Sequence, residues 1–126
     1  MPTPRTKLGD WGEEQAVGFL KEKGYEIVAT NYRCKYGEVD IVAMDGEELV
    51  FAEVRTRRPG NFGTPEESVS KHKLRRLMAT CQDYLQNSGQ ENKQWWVDLI
   101  SVRLEKGRSK IPKVERIDHL KHVLQQ

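Results

Sequence analysis

The chain has 126 residues, enough for one ordinary domain and too few for two well-packed ones. Apolar residues make up 37% and charged residues 32%, a polar mixture that still permits a modest core, and the formal net charge of +2 singles out no partner. No stretch is apolar enough to span a membrane, and the first seven residues lack the apolar run of a signal peptide. Cys34 and Cys81 lie far apart with no paired Cys or His at metal-ligand spacing, and two cysteines, bridged or not, do not make a secreted framework, so a single domain over 1–126 in the cytoplasm is the expectation.

Residues 1–7, rich in Pro and Thr, read as a loose arm. Asp10-Trp11-Gly12-Glu13 reads as a helix start, with Asp10 as N-cap and Glu13 closing a capping box. Ala16, Val17 and Leu20 continue an apolar stripe until Gly24, and Tyr25–Arg33 reads as a first strand. Val39–Ala43 and Leu49–Val54 are β-rich runs on either side of Asp45-Gly46, a strong two-residue hairpin signal. Thr56–Gly63 reads as a loop. Thr64-Pro65-Glu66-Glu67 offers a complete helix start, followed by Val69, Leu74, Leu77, Met78, Cys81 and Leu85 on one face and closed by Asn87-Ser88-Gly89. Trp95–Val102 is a further strand, Arg103–Pro112 a polar loop, and Ile117–Leu124 a short helix.

A turn at Asp45-Gly46 pairs Met44 with Glu47, Asp40 with Phe51 and Glu38 with Glu53. Paired residues share a face, so one face carries Glu38, Asp40, Val42, Leu49, Phe51, Glu53 and Arg55. The other carries Val39, Ile41, Ala43, Val50, Ala52 and Val54 and is entirely apolar. Asp40 and Glu53 become diagonal neighbours roughly 7–8 Å apart, within reach of a common hard cation such as magnesium. Either a cation neutralises this acidic end, or the acids sit solvated at a sheet edge beside Arg55, Arg57 and Arg58.

Gly12-Glu13, Gly24-Tyr25, Asn31-Tyr32-Arg33, Gly37-Glu38-Val39-Asp40-Ile41-Val42 and Phe51-Ala52-Glu53-Val54-Arg55 follow one another in order. With Val69, Lys73, Arg76-Leu77, Tyr84-Leu85, Asp98 and Ile117-Asp118-His119-Leu120, they resemble the YraN-like family of bacterial proteins over nearly the whole chain. That family is related to archaeal Holliday-junction resolvases and the restriction-endonuclease-like fold. The resemblance implies an α/β fold with a central mixed sheet flanked by helices, in the order α-β-β-β-α-β. It also implies a metal-dependent DNA endonuclease with an aspartate on one strand, Glu-x-Lys on the next and an assisting helical glutamate. Asp40, Glu53 and Glu13 match these positions and would hold Mg2+ or Mn2+; Glu38 would support them. For Glu13 the capping-box role remains the alternative.

Arg55 stands where the lysine is expected. Arginine stays protonated and cannot act as a base, though it can bind the attacked phosphate. Lys73 could supply an amine from the following helix, or bind phosphate, or lie on the solvated face. Lys71, Lys73, Arg75, Arg76, Arg57 and Arg58 would track a nucleic-acid backbone, contacts that carry affinity but no sequence information. The expected partner is DNA recognised by structure, with a homodimer implied only by analogy to resolvases. The competing class is a non-catalytic nucleic-acid-binding or adaptor protein on a degenerate nuclease fold. His72, His119 and His122 read as surface or helix-end residues, and Asp98 as a buried structural acid outside the site.

Overall fold

The computed structural model describes residues 4–59, 70–107 and 111–125, and its elements follow the order α-β-β-β-α-β-β. Helix α1 (Pro4–Glu22) precedes the antiparallel strands β1 (Glu26–Cys34), β2 (Gly37–Asp45) and β3 (Glu48–Arg57). Helix α2 (Lys71–Ser88) then crosses to β4 (Trp95–Leu104), which lies parallel to β3, and β5 (Val114–Gln125) returns antiparallel at the edge. The result is one mixed sheet in the order β1-β2-β3-β4-β5 with a helix on each face, the layered architecture of the restriction-endonuclease-like class. No helix among the described residues is long and apolar enough to cross a membrane.

Helix α1 uses the stripe Gly12-Ala16-Leu20, spaced four apart, to meet Ile41, Ala43, Val50, Ala52, Val54, Ile100 and Val102 on one sheet face. Helix α2 buries Leu77, Cys81, Tyr84 and Leu85 against Val42, Leu49, Phe51 and Val97 on the other. Its first turn is capped by Ser70, whose Oγ accepts the Lys73 N–H at 3.2 Å. Gly89 ends it in the left-handed conformation (φ 68°), its N–H donating to the Gln86 carbonyl and the Gln90 N–H to the Leu85 carbonyl.

Several expectations change. The described helix begins at Pro4, not Asp10, so residues 4–7 of the expected loose arm of residues 1–7 are helical, and residues 1–3 lie outside the described residues. Proline is compatible with a first helical turn, which lets the helix extend back through the expected arm. The segment 117–124 is strand, not helix, and adds β5 to the expected order. The hairpin loop is Gly46-Glu47 with Asp45 opposite Glu48, so the expected partners shift: Met44 pairs with Leu49 and Val42 with Phe51. Gly46 takes φ 64° at the first loop position, where only glycine is at ease. β3 continues through Arg57, shortening the expected loop; Thr64-Pro65-Glu66-Glu67 and Val69 lie outside the described residues.

At Gly12, α1 lies close against β3. A Cβ there would stand 1.8 Å from Thr56 Oγ1 on β3, and the short branched threonine has no slack to give. Gly12→Ala is therefore expected to lower stability by about 1–3 kcal/mol despite alanine's better helix propensity. A denaturant midpoint at or above wild type would contradict that tight contact.

Candidate functional site

The site grows from a defect in β-alternation. Thr30 pairs with Ile41 and Tyr32 with Val39, so both pairs belong on one face by strict period-two alternation. Instead Ile41 packs under α1, whereas Val39 and Tyr32 pack under α2. Val39 therefore leaves the expected apolar face. The reversal falls at Asn31 and Asp40, and Asn31 has φ 54°, a left-handed conformation that asparagine tolerates better than most residues. The pairing of β2 with β3 ends at Ile41 opposite Ala52. Beyond it, Asp40 Oδ2 accepts the Val54 N–H at 2.7 Å.

Around this break lie the acids. One carboxylate oxygen from each of Glu13, Glu38 and Asp40 falls within 4.8 Å of the others. Glu13 comes from α1 and is hydrogen-bonded to Asp40. It sits well inside the helix that starts at Pro4, so the capping-box alternative is ruled out. Glu38 lies opposite Arg33, not Glu53, and its Oε2 takes the Arg33 Nε–H at 2.8 Å. With its amide nitrogen facing the acids, Asn31 donates to Glu13 Oε2 at 3.1 Å and to Glu38 Oε1 at 3.2 Å.

Asp40, Glu38 and Glu53 line a cavity of about 500 Å³ together with His72, Lys73 and Arg76 from the start of α2. Glu53 is buried, and its Oε1 receives Lys73 Nζ at 3.3 Å and Arg55 NH1 at 3.4 Å. Thus Glu13, Glu38 and Asp40 converge as one carboxylate group, while Glu53 stands beside them with two cations. Lys71, Arg75, Arg76 and Arg58 are exposed, whereas Arg57 is buried at 8% exposure and does not contribute to that surface. Arg76 Nε also holds the β1–β2 turn through the Tyr36 carbonyl at 3.2 Å.

Burial, first of all, pushes the Asp40 carboxyl up from 3.8 to about 7; the negative charges of Glu13 and Glu38 add to this and the Val54 N–H opposes it. Burial also raises Glu13, partly offset by its bonds to Asp40 and Asn31. Glu53 is raised by burial and by Asp40, with Arg55 and Lys73 pulling the other way. Two carboxylates in hydrogen-bond contact need a proton or a cation between them. An all-oxygen donor set from three acids fits a hard divalent ion, which would replace that proton.

Sequence reasoning placed Glu38 in support and did not single out Asn31. The residue type was the available signal for Asn31, since asparagine readily takes a left-handed turn within a β run. The histidine reading changes as well: His119 lies in β5 with a side chain 4% exposed, not on a helix end. Its Nε2 contacts Asp98 Oδ2 at 2.7 Å, and its Nδ1 meets Lys23 Nζ at 2.7 Å. Because lysine can only donate, Nδ1 accepts and the proton sits on Nε2, directed at Asp98. Asp98 is fully buried and also takes the His122 N–H at 2.9 Å, the structural acid expected there.

Fold and geometry define a three-layer α/β domain with an acid-lined cavity at the point where two strands cease to pair. The chain belongs to the uncharacterised protein family UPF0102, the YraN-like family, whose pattern it matches over residues 12–102. It is 44% identical over 98 residues to a UPF0102 protein of Caldicellulosiruptor saccharolyticus, covering 78% of this chain and 83% of that one. A UPF0102 protein of Dehalococcoides mccartyi is 45% identical over 100 residues, covering 79% and 83% respectively. One from Nocardia farcinica is 41% identical over 116 residues, covering 92% and 87%.

Proposed function

We propose that this protein is a divalent-metal-dependent endonuclease that hydrolyses phosphodiester bonds in DNA and selects structure rather than sequence. The observation that carries the reading is the meeting of Glu13, Glu38 and Asp40 within 4.8 Å, with Glu38 and Asp40 lining a cavity beside Glu53 and Lys73. Glu13, Glu38 and Asp40 would hold Mg2+ or Mn2+, with Glu53 alongside; bound there, the ion would polarise the phosphate and make a water more acidic. Asn31 fixes two of these acids from β1, and the Val54 N–H fixes the third. Lys73 and Arg76 at the cavity favour a phosphate, and Lys71 and Arg75 extend a positive surface for the backbone. A preference for branched DNA follows from the resemblance to resolvases.

The second reading, a binding or adaptor protein, is favoured by one feature: Arg55 at the strand position where the motif has lysine. Labelled single strand, duplex, flap and four-way junction, incubated with Mg2+ or Mn2+, separate the two. Metal-dependent cutting lost in Glu53→Gln supports the nuclease. Salt-sensitive binding that ignores metal, with no cutting of any substrate, supports the adaptor.

Metal affinity should itself depend on pH. With the Asp40 carboxyl near 7, each ion bound below that pH displaces a proton, so affinity is expected to rise roughly fivefold from pH 6 to pH 7, to about tenfold by pH 8, and to level off above that. Calorimetric Mn2+ titrations in buffers of different ionisation enthalpy count the released protons. No proton release at pH 6 would remove the acid pair from the ligand set.

A further inference from the structure

Glu53 carries two cations on one oxygen, and they occupy different surroundings. Arg55 NH1 approaches from within β3, its side chain 27% exposed and its Nε buried without a hydrogen-bond partner among the described residues. It does not line the cavity. Lys73 approaches from α2, is 41% exposed, and lines the cavity with Asp40 and Glu38. Its backbone is pinned by the Ser70 cap, one turn from the positive end of an 18-residue helix.

We infer that Lys73, from α2, is the catalytic cation of this site, contacting the attacked phosphate, while Arg55 positions Glu53 from behind. The inference rests on the nuclease reading and adds to it the residue that meets the substrate. In the hydrolysis, a water oxygen bonds to phosphorus and one phosphorus–oxygen ester bond breaks, giving a phosphate monoester and a hydroxyl end. A cavity carboxylate takes the water's proton, and bulk water protonates the leaving oxygen. The Lys73 ammonium, a donor only, neutralises charge building on the phosphate oxygens. A paired ammonium is the wrong group for a base but the right one for this task. An arginine held behind Glu53 is then no defect.

The test compares wild type, Lys73→Gln, Lys73→Arg and the double variant Arg55→Lys/Lys73→Gln on the junction and duplex panel. Lys73→Gln is expected to lose about 100-fold in kcat. Its melting midpoint and Mn2+ affinity should stay close to wild type, because Arg55 still pairs with Glu53 and Lys73 is not among the three converging acids. Lys73→Arg should recover most of the loss, and the double variant should stay inactive. Cutting by Lys73→Gln at the wild-type rate overturns the assignment. Restored cutting in the double variant also overturns it, by placing the working cation on the strand. A wild type that cuts nothing overturns the nuclease reading itself, and this inference with it.

Discussion

Asp40→Asn is expected to abolish metal-dependent cleavage and, in the absence of metal, to make the protein more stable at pH 8. The loss of activity follows from removing the acid that touches both Glu13 and the Val54 N–H. Losing several kcal/mol of charge stabilisation in the transition state corresponds to roughly a thousandfold in rate. The gain in stability follows from the direction of the shift. Below about pH 4 the carboxyl is protonated in both folded and unfolded chains, and burial carries no ionic penalty. Between about 4 and 7 the unfolded chain releases the proton and the folded protein keeps it, so stability falls as pH rises. Above 7 the full penalty applies. The rise from 3.8 to about 7 corresponds to roughly 4 kcal/mol, which partial solvent access reduces to about 2 kcal/mol. Asparagine keeps an oxygen for the Val54 N–H and carries no charge. Melting curves from pH 5 to 8.5 should show the variant pulling ahead of wild type as pH rises. Mn2+ should close the gap by stabilising wild type alone. A constant difference across that range would mean that Asp40 is not held in the acid cluster.

Asp98→Ala is expected to have the largest effect on stability, by a different route. Asp98 is fully buried; it satisfies the His119 Nε2–H and the His122 N–H at the irregularity where β5 passes β4. Removing it leaves a buried imidazole and a backbone N–H unpaired, at a cost of about 3–5 kcal/mol. For a domain of this size that lowers the melting midpoint by on the order of 10–20 °C. A drop of only a degree or two would show that water replaces the carboxylate.

The two sheet faces were largely legible in the sequence because period-two alternation survives a shift of both hairpin partners. The expected Asp45-Gly46 turn and the observed Gly46-Glu47 turn differ in pairing, yet leave Val42, Leu49 and Phe51 facing together. Val39 escaped because the reversal near Asn31 and Asp40 is a backbone event with little trace in hydrophobic pattern. β5 read as a helix for a related reason. Leu99 pairs with Leu120 and Val97 with Leu124, leaving residues 121–123 opposite Asp98, so the apolar positions fall three or four apart. Glu38, Asp40 and Glu53 were legible from residue type and strand alternation, whereas Glu13 came only from the family resemblance. That Lys73 reaches Glu53 was not readable, because only the docking of α2 on the sheet brings the two together.

The distortion of β1 has a consequence for behaviour in concentrated solution. β1 is an outer strand of the sheet, and an outer strand with free backbone groups is a template for another chain. Here the register shifts between Ile27 and Ala29, and Asn31 turns the backbone left-handed two residues later. A strand bent twice within five residues offers no straight run for an incoming strand to zip along. The kink that sets the acids in place thus also protects the molecule against sheet-to-sheet aggregation along this edge.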